Sequence, residues 1–237
     1  MNAFPKPRVF KHRQDAPKHA KVIETFDQAL KELGVWIYYP WNRKLVHTLS
    51  EESYFAARTA RNRNIITEKE QQRYRNVTVG IAGLSVGSAI LSALAMSGGP
   101  RRLKIADFDV IEISNLNRMK ATLLDVGMNK AEVAARNVWE IDPFAEISIF
   151  DGGLNEKNTK DFILKNPKLD IFIDEIDSIP IKILSRQICR AHRIPVLMVT
   201  DNGDSIILDV ERFDKEPKRQ LLHGIMEHMN PREIQNL

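Results

Sequence analysis

The 237-residue chain has one cysteine. A lone Cys189 excludes an internal disulfide framework and any cysteine-rich zinc site, so no structural zinc is expected. The six histidines are scattered without zinc-ligand spacing. His192 and His223 have no triad partner nearby in sequence and read as structural or solvated. No apolar run approaches the ~18 residues of a membrane span. The N-terminal stretch MNAFPKPRVFKHRQDAPKHAK is basic but lacks the apolar centre of a secretory signal. These absences lead to the expectation of a soluble, cytoplasmic chain with no membrane partner.

What is present is ordinary for a globular protein: 43% hydrophobic and 28% charged residues. Charge is spread unevenly. Residues 1–76 carry 15 Lys and Arg against 8 Asp and Glu, and the remainder carries 20 against 23. A basic segment can meet nucleic acid or an acidic partner. With no zinc-finger spacing and no aromatic-basic RNA-binding motif, it reads as a solvated surface, and nucleic acid is not expected as a partner.

The hydrophobic pattern sets the order of elements. HAKVIETFDQALKEL places Val22, Phe26, Ala29, Leu30 and Leu33 on one face and predicts a helix ended by Gly34. VWIYYPWNRKLVHTL is aromatic and extended, a strand or arm packed on the main domain. From Ser53 a helical pattern runs through YFAARTARNRNIITEKEQQRYRN. Apolar strands then alternate with helices: VTVGIAG, LSVGSAILSALAMSGG, RRLKIADFD, NKAEVAARNVWEID, AEISIFDGG, NTKDFILK, LDIFIDEID, IPIKILSRQICRAHR, and the strands IPVLMVTDNG and SIILDVERF. Val133, Val138 and Ile141 are core candidates, and Cys189 falls within an amphipathic helix as a buried thiol. Alternation of this kind predicts an α/β fold, a doubly wound, Rossmann-like, mostly parallel sheet with helices on both faces. The chain divides into a basic arm and helix over 1–52 and a nucleotide-binding domain over 53–237.

In such sheets ligands bind beyond the carboxyl ends of the strands. Gly83, Ser85 and Gly87 of AGLSVGS fall there, as do Asp107 and Asp109 of ADFDVIEISNLNRM and the pair Asp174 and Asp177. Glycines before a helix N-terminus let backbone approach a phosphate, although they also serve close helix–strand packing. Asp107 follows Gly83 by 24 residues, near the spacing of about 20 for a carboxylate that reads a ribose. To this point a dinucleotide and ATP fit equally. Asn115, Arg118, Lys130 and Asp177 separate them. A triphosphate calls for cations on its oxygens and a carboxylate for Mg²⁺, and a nicotinamide does not.

DFDVIEISNLNR, MNKAEVAARNVWEIDP and DIFIDEIDS resemble, in order and spacing, the signature blocks of the ThiF/MoeB/HesA adenylyltransferases and ubiquitin-activating enzymes. The resemblance covers about 61–213. It implies ATP-dependent adenylation of a carboxylate, commonly the C-terminus of a ubiquitin-fold carrier protein, by a homodimer using Mg²⁺. It also implies roles: Asp107 on ribose, Asn115 and Arg118 on phosphate, Lys130 on the phosphates and the leaving pyrophosphate, Asp177 on Mg²⁺. Upstream, NRNII resembles the family's NRQII segment, which makes Arg63 a finger supplied to the neighbouring subunit; a helix-surface arginine is the alternative. Ser85 replaces a glycine of the family loop, Ser178 stands where asparagine commonly follows the magnesium aspartate, and the paired CxxC motifs of many bacterial members are absent. Three other readings stand beside this one. They are the same ATP chemistry on a peptide or RNA-attached carboxylate, a degenerate nucleotide-binding interaction subunit, and an NAD-dependent oxidoreductase, which leaves the Arg–Lys–Asp set unexplained.

Overall fold

The computed structural model describes residues 4–23 and 34–224. Its main body is a six-stranded sheet. The first strand, β5 (Thr78–Ala82), is buried along its whole length and lies at the centre, where a TVGIA run with no large polar side chain belongs. On one side β5 pairs in parallel with β6 (Arg102–Ala106), and β6 with β7 (Glu146–Phe150). On its other side it pairs with β8 (Ile171–Asp174), followed outward by β9 (Val196–Asn202). An antiparallel edge strand, β10 (Ser205–Glu211), closes the series. The expected doubly wound architecture is therefore present, with the order reversing at β5.

Helices cover both faces. On one, α3 (Gly87–Met96) and α4 (Lys130–Ile141) bring Leu91, Ala95, Val138 and Trp139 onto Val79, Ile81, Leu103 and Ile105. On the other, α5 (Thr159–Leu164) and α6 (Ile179–Ala191) join Phe162, Ile183 and Cys189 to Phe172, Val196 and Phe213. Val133 and Val138 are buried as expected, with Ile141 at the margin. Cys189 is fully buried, and desolvation pushes its thiol pKa far up, which makes it a packing group.

The N-terminal region departs from expectation. Lys21–Ile23 forms a short strand, β2, so Val22 does not lie on a helix; the rest of the helix expected there falls outside the described residues. β1 (Arg8–Phe10), β2, β3 (Val35–Tyr39) and β4 (Lys44–Thr48) form a second sheet in the order β1-β3-β4-β2. The aromatic segment around Pro40 is thus a pair of strands, and it packs on the main body. The Trp41 indole donates to Glu140 at 2.9 Å and stacks on Trp139. The helix expected from Ser53 onward is two, α1 (Glu51–Thr59) and α2 (Glu68–Asn76), parted by a 3-10 turn. Thr67 begins α2 with a capping box: its hydroxyl accepts from the Glu70 amide, and the Glu70 carboxylate accepts from the Thr67 amide at 2.8 Å.

One charged cluster lies inside the fold. Arg186 of α6 is fully buried between Asp174 and Glu211, with 2.5 Å from its Nε to Glu211. The second Glu211 oxygen accepts from the Leu222 amide, and Lys182 approaches Asp174 at 3.3 Å. Removing one partner of such a set leaves a buried charge uncompensated. Arg186→Met is expected to lower stability by about 3–5 kcal/mol, read from urea denaturation. A loss below about 1 kcal/mol, the level of an exposed ion pair, would show that the cluster does not anchor these elements.

Candidate functional site

The carboxyl ends of β5, β6, β8 and β9 open onto a cleft of about 560 Å³. It lies where the strand order reverses, the position at which a doubly wound sheet leaves a crevice. Gly83, Ser85, Asp107, Asp109 and Asp177 all line it.

Gly83 has φ +87°, and a Cβ there would stand 2.0 Å from the Glu175 carbonyl oxygen. No side chain fits between the two strands at this level. Its amide donates to the Ala106 carbonyl, and the next amide, of Leu84, donates to the Asp107 carboxylate at 2.6 Å. Gly87 answers a different need: a Cβ there would meet Ile81 at 2.8 Å, so it sets the closeness of α3 to β5. The first turn of α3 has no side-chain cap at Val86; the Ala89 amide donates to the Val86 carbonyl, and the turn's N-terminal end faces outward as a helix start suited to an anion.

Asp107 is buried, and its second oxygen accepts from the Asp109 amide at 2.8 Å. Burial raises its pKa, opposed by the two amides and by Lys130. Lys130, the first residue of α4, is buried and extends its ammonium to Asp109 at 2.8 Å and to the Ser85 hydroxyl at 3.2 Å. The glycine loop, the end of β6 and the start of α4 thus meet through Ser85, Asp109 and Lys130. Asp177 is exposed on the cleft and makes no hydrogen bond or ion pair among the described residues, so its carboxylate is open to a hard cation such as Mg²⁺.

Five sequence-predicted residues are not among those that line the cleft: Gly87 and Lys130, described above, and Asn115, Arg118 and Arg63. Asn115 is buried in the turn after β6, where its side-chain oxygen accepts from the Glu112 amide at 3.0 Å. Arg118 is exposed and donates to the Ser114 carbonyl and the Asn117 side chain. Arg63 lines a separate cleft between α1 and α2. Asp174, paired with Asp177 in the sequence reading, is neutralised within the buried cluster.

Two cleft residues escaped the sequence reading. Glu175 accepts from the Val199 amide at 2.9 Å, and burial pushes its pKa up to about 7. Nothing local distinguishes it within DEID; its setting comes from β9. Lys182 lies on the first turn of α6, with its amide bonded to the Ser178 carbonyl. Its spacing, a cation one helical turn past the strand-end carboxylates, was a signal that could have found it.

The sequence model of the ThiF family matches residues 59–203. An uncharacterized protein of Mycobacterium tuberculosis is 42% identical over 197 residues, which is 83% of this chain and 27% of that protein. The SAMP-activating enzyme E1 of Haloferax volcanii is 32% identical over 124 residues, covering 52% of this chain and 44% of that one. The crystal structure of Escherichia coli tRNA N6-threonylcarbamoyladenosine dehydratase in complex with AMP superposes with a TM-score of 0.60 at 25% identity. That match covers 68% of this chain and 65% of the other. The chain spans less than two thirds of the length of each of these relatives.

The raised pKa of Glu175 makes stability depend on pH. Between the ordinary carboxyl value of 4.5 and about 7 the folded chain holds a proton that the unfolded chain releases, so stability falls as pH rises through this window. Glu175→Gln removes that dependence. In metal-free buffer its melting temperature is expected to gain on the parent's from pH 5 to 8; a constant offset would sink the assignment.

Proposed function

The chain belongs to the ThiF family, and on that footing we propose that it is an ATP-dependent adenylyltransferase. In this reading it activates a carboxylate as an acyl-adenylate and releases pyrophosphate. The observation that carries the proposal is the convergence on one cleft of a glycine loop, Asp107 bonded to that loop, Lys130 at its rim and Asp177, which has no partner among the described residues. The E. coli relative, at 25% identity, forms a complex with AMP, which supports nucleotide binding by this chain.

In the reaction an acceptor carboxylate oxygen forms a bond to the α-phosphorus, and the bond from that phosphorus to the bridging oxygen breaks. The acceptor is already anionic, so no protein base is required. The protein's task is to align the two groups and neutralise charge growing on the pyrophosphate. Asp107 receives ribose hydroxyls on lone pairs its two amides leave free, and the uncapped turn of α3 faces phosphate. Lys130 exchanges Asp109 for phosphate oxygens. Asp177 would hold Mg²⁺, which would supply positive charge in a cleft otherwise rich in carboxylates. Arg118 approaches the phosphates from the loop after β6, whose turn the Asn115 side chain closes, and Arg63 serves the neighbouring subunit of a homodimer.

For the acceptor we favour the C-terminus of a ubiquitin-fold carrier, in line with the name of the archaeal SAMP-activating relative. A tRNA-attached carboxylate is the second reading, favoured by the name of the E. coli structure. The first test is calorimetric titration with ATP plus Mg²⁺ and separately with NAD⁺. The expected result is ATP binding that weakens in Asp177→Asn, with no NAD⁺ binding. With a carboxylate acceptor in hand, Lys130→Ala is expected to slow ATP–pyrophosphate exchange on the order of 100-fold. A folded protein that does not bind ATP would instead be a non-catalytic interaction subunit.

A further inference from the structure

Lys130 can face phosphate only if the start of α4 is fixed relative to the glycine loop. The residue before it, Asn129, makes contacts on both sides of its amide. Its side-chain oxygen accepts from the Ala131 and Glu132 amides at 2.9 and 3.3 Å, an ordinary helix cap. Its side-chain nitrogen does something a cap does not require. The two hydrogens of Nδ2 face three carbonyls, of Asp107 at 3.1 Å, Asp109 at 3.3 Å and Asp151 at 3.1 Å, so one of them is shared between two acceptors.

Two of these carbonyls belong to the residues whose carboxylates line the cleft, and the third follows β7. One amide group therefore joins the end of β6, the end of β7 and the first turn of α4. The backbone reinforces the same point: the Lys130 amide donates to the Asp109 carbonyl at 2.9 Å, and Asn129 forms an isolated bridge with Val110. From this origin the Lys130 stem reaches Asp109 and Ser85.

We propose that Asn129 is the positioning residue for Lys130, acting through the Nδ2 bonds and not through its cap alone. The proposal rests on the reading in which Lys130 faces the nucleotide phosphates. Residue chemistry separates the two halves of the side chain. Serine and aspartate keep a cap, and neither supplies the amide donor. A lysine ammonium sits on a flexible four-carbon stem, so a displaced origin costs it the geometry of its contact.

The experiment is a double-mutant cycle on ATP–Mg²⁺ binding, measured by calorimetry on the full chain, with melting temperature recorded for each variant. Asn129→Ser is expected to fold and to weaken ATP binding about tenfold or more, the scale set by misplacement of a positioned group. Asn129→Ser combined with Lys130→Ala is expected to bind no more weakly than Lys130→Ala alone. If Lys130→Ala leaves ATP binding unchanged, the phosphate role of Lys130 fails, and the positioning role fails with it. If Lys130→Ala weakens binding while Asn129→Ser does not, or if the two effects add, only the positioning role is overturned. Should Asn129→Ser not fold, the isosteric Asn129→Asp carries the same comparison. Loss of the fold in both would assign Asn129 to stability and overturn the proposal.

Discussion

The contact of Gly83 with the Glu175 carbonyl decides where this molecule can have a site. The Gly83 amide is bonded to Ala106 on one side of β5, and the Glu175 amide is bonded to Ala82 on the other. The chain ends of β5, β6 and β8 are therefore locked together at one level. A side chain on residue 83 would occupy the space of a backbone oxygen, with 2.0 Å between atoms that need well over 3 Å. Above this closed level the loops that follow β5 and β8 both line the cleft, from Gly83 and from Glu175 onward. The positive φ of Gly83 is part of the same constraint, since it turns the Leu84 amide toward Asp107.

Charge in the cleft is managed in two ways. Asp174 is removed from it by Arg186 and Lys182, at the level of the core. Asp107, buried, and Glu175, partly buried, stay at the cleft, and burial pushes the pKa of each upward. Both carboxylates are anchored by backbone amides, two for Asp107 and one for Glu175. Amide donors favour the ionised form while desolvation disfavours it, and desolvation wins in both cases. Asp177 differs from these in having no partner among the described residues. The cleft thus holds carboxylates built into its walls and, among the described residues, two exposed ones without a side-chain partner, Asp177 and Asp201.

Much of this was legible in the sequence because apolar strands followed by Gly or Asp fix both a strand and its end. The order of the six main strands, the placement of Gly83, Ser85, Asp107, Asp109 and Asp177 on one cleft, and the burial of Val133 and Val138 all follow from that pattern. The shortest elements did not show. Lys21–Ile23 is three residues long, too short for alternation to declare itself, and it is defined by pairing with Lys44–Val46 across the sequence. The break before Glu68 was written in Thr67 and Glu70, but a continuous polar helical pattern hid it. The Glu175 environment depends on β9, over twenty residues away, and no local window contains it. Asn129 reads in sequence as a helix cap, and its three carbonyl contacts appear only when β6 and β7 are side by side.

Asn115 and Arg118 show the difference between a motif and a geometry. Their spacing after Asp107 places them in the loop that follows β6, and the structure puts them there, outside the cleft lining. In Arg118 the cost of change is small. Its hydrogen bonds to Ser114 and Asn117 are exposed, and exposed neutral acceptors of this kind contribute about 1 kcal/mol or less each. A phosphate brings an opposite charge to the guanidinium and can accept two bonds from it at once, neither of which these neutral acceptors offers. In the proposed reaction the nucleotide therefore outcompetes the contacts Arg118 now makes. Asn115 is the opposite case: it is buried, and its side chain closes the turn from Glu112. One residue of the motif is thereby fixed to shape the loop, and the other is held loosely enough to be recruited by the ligand.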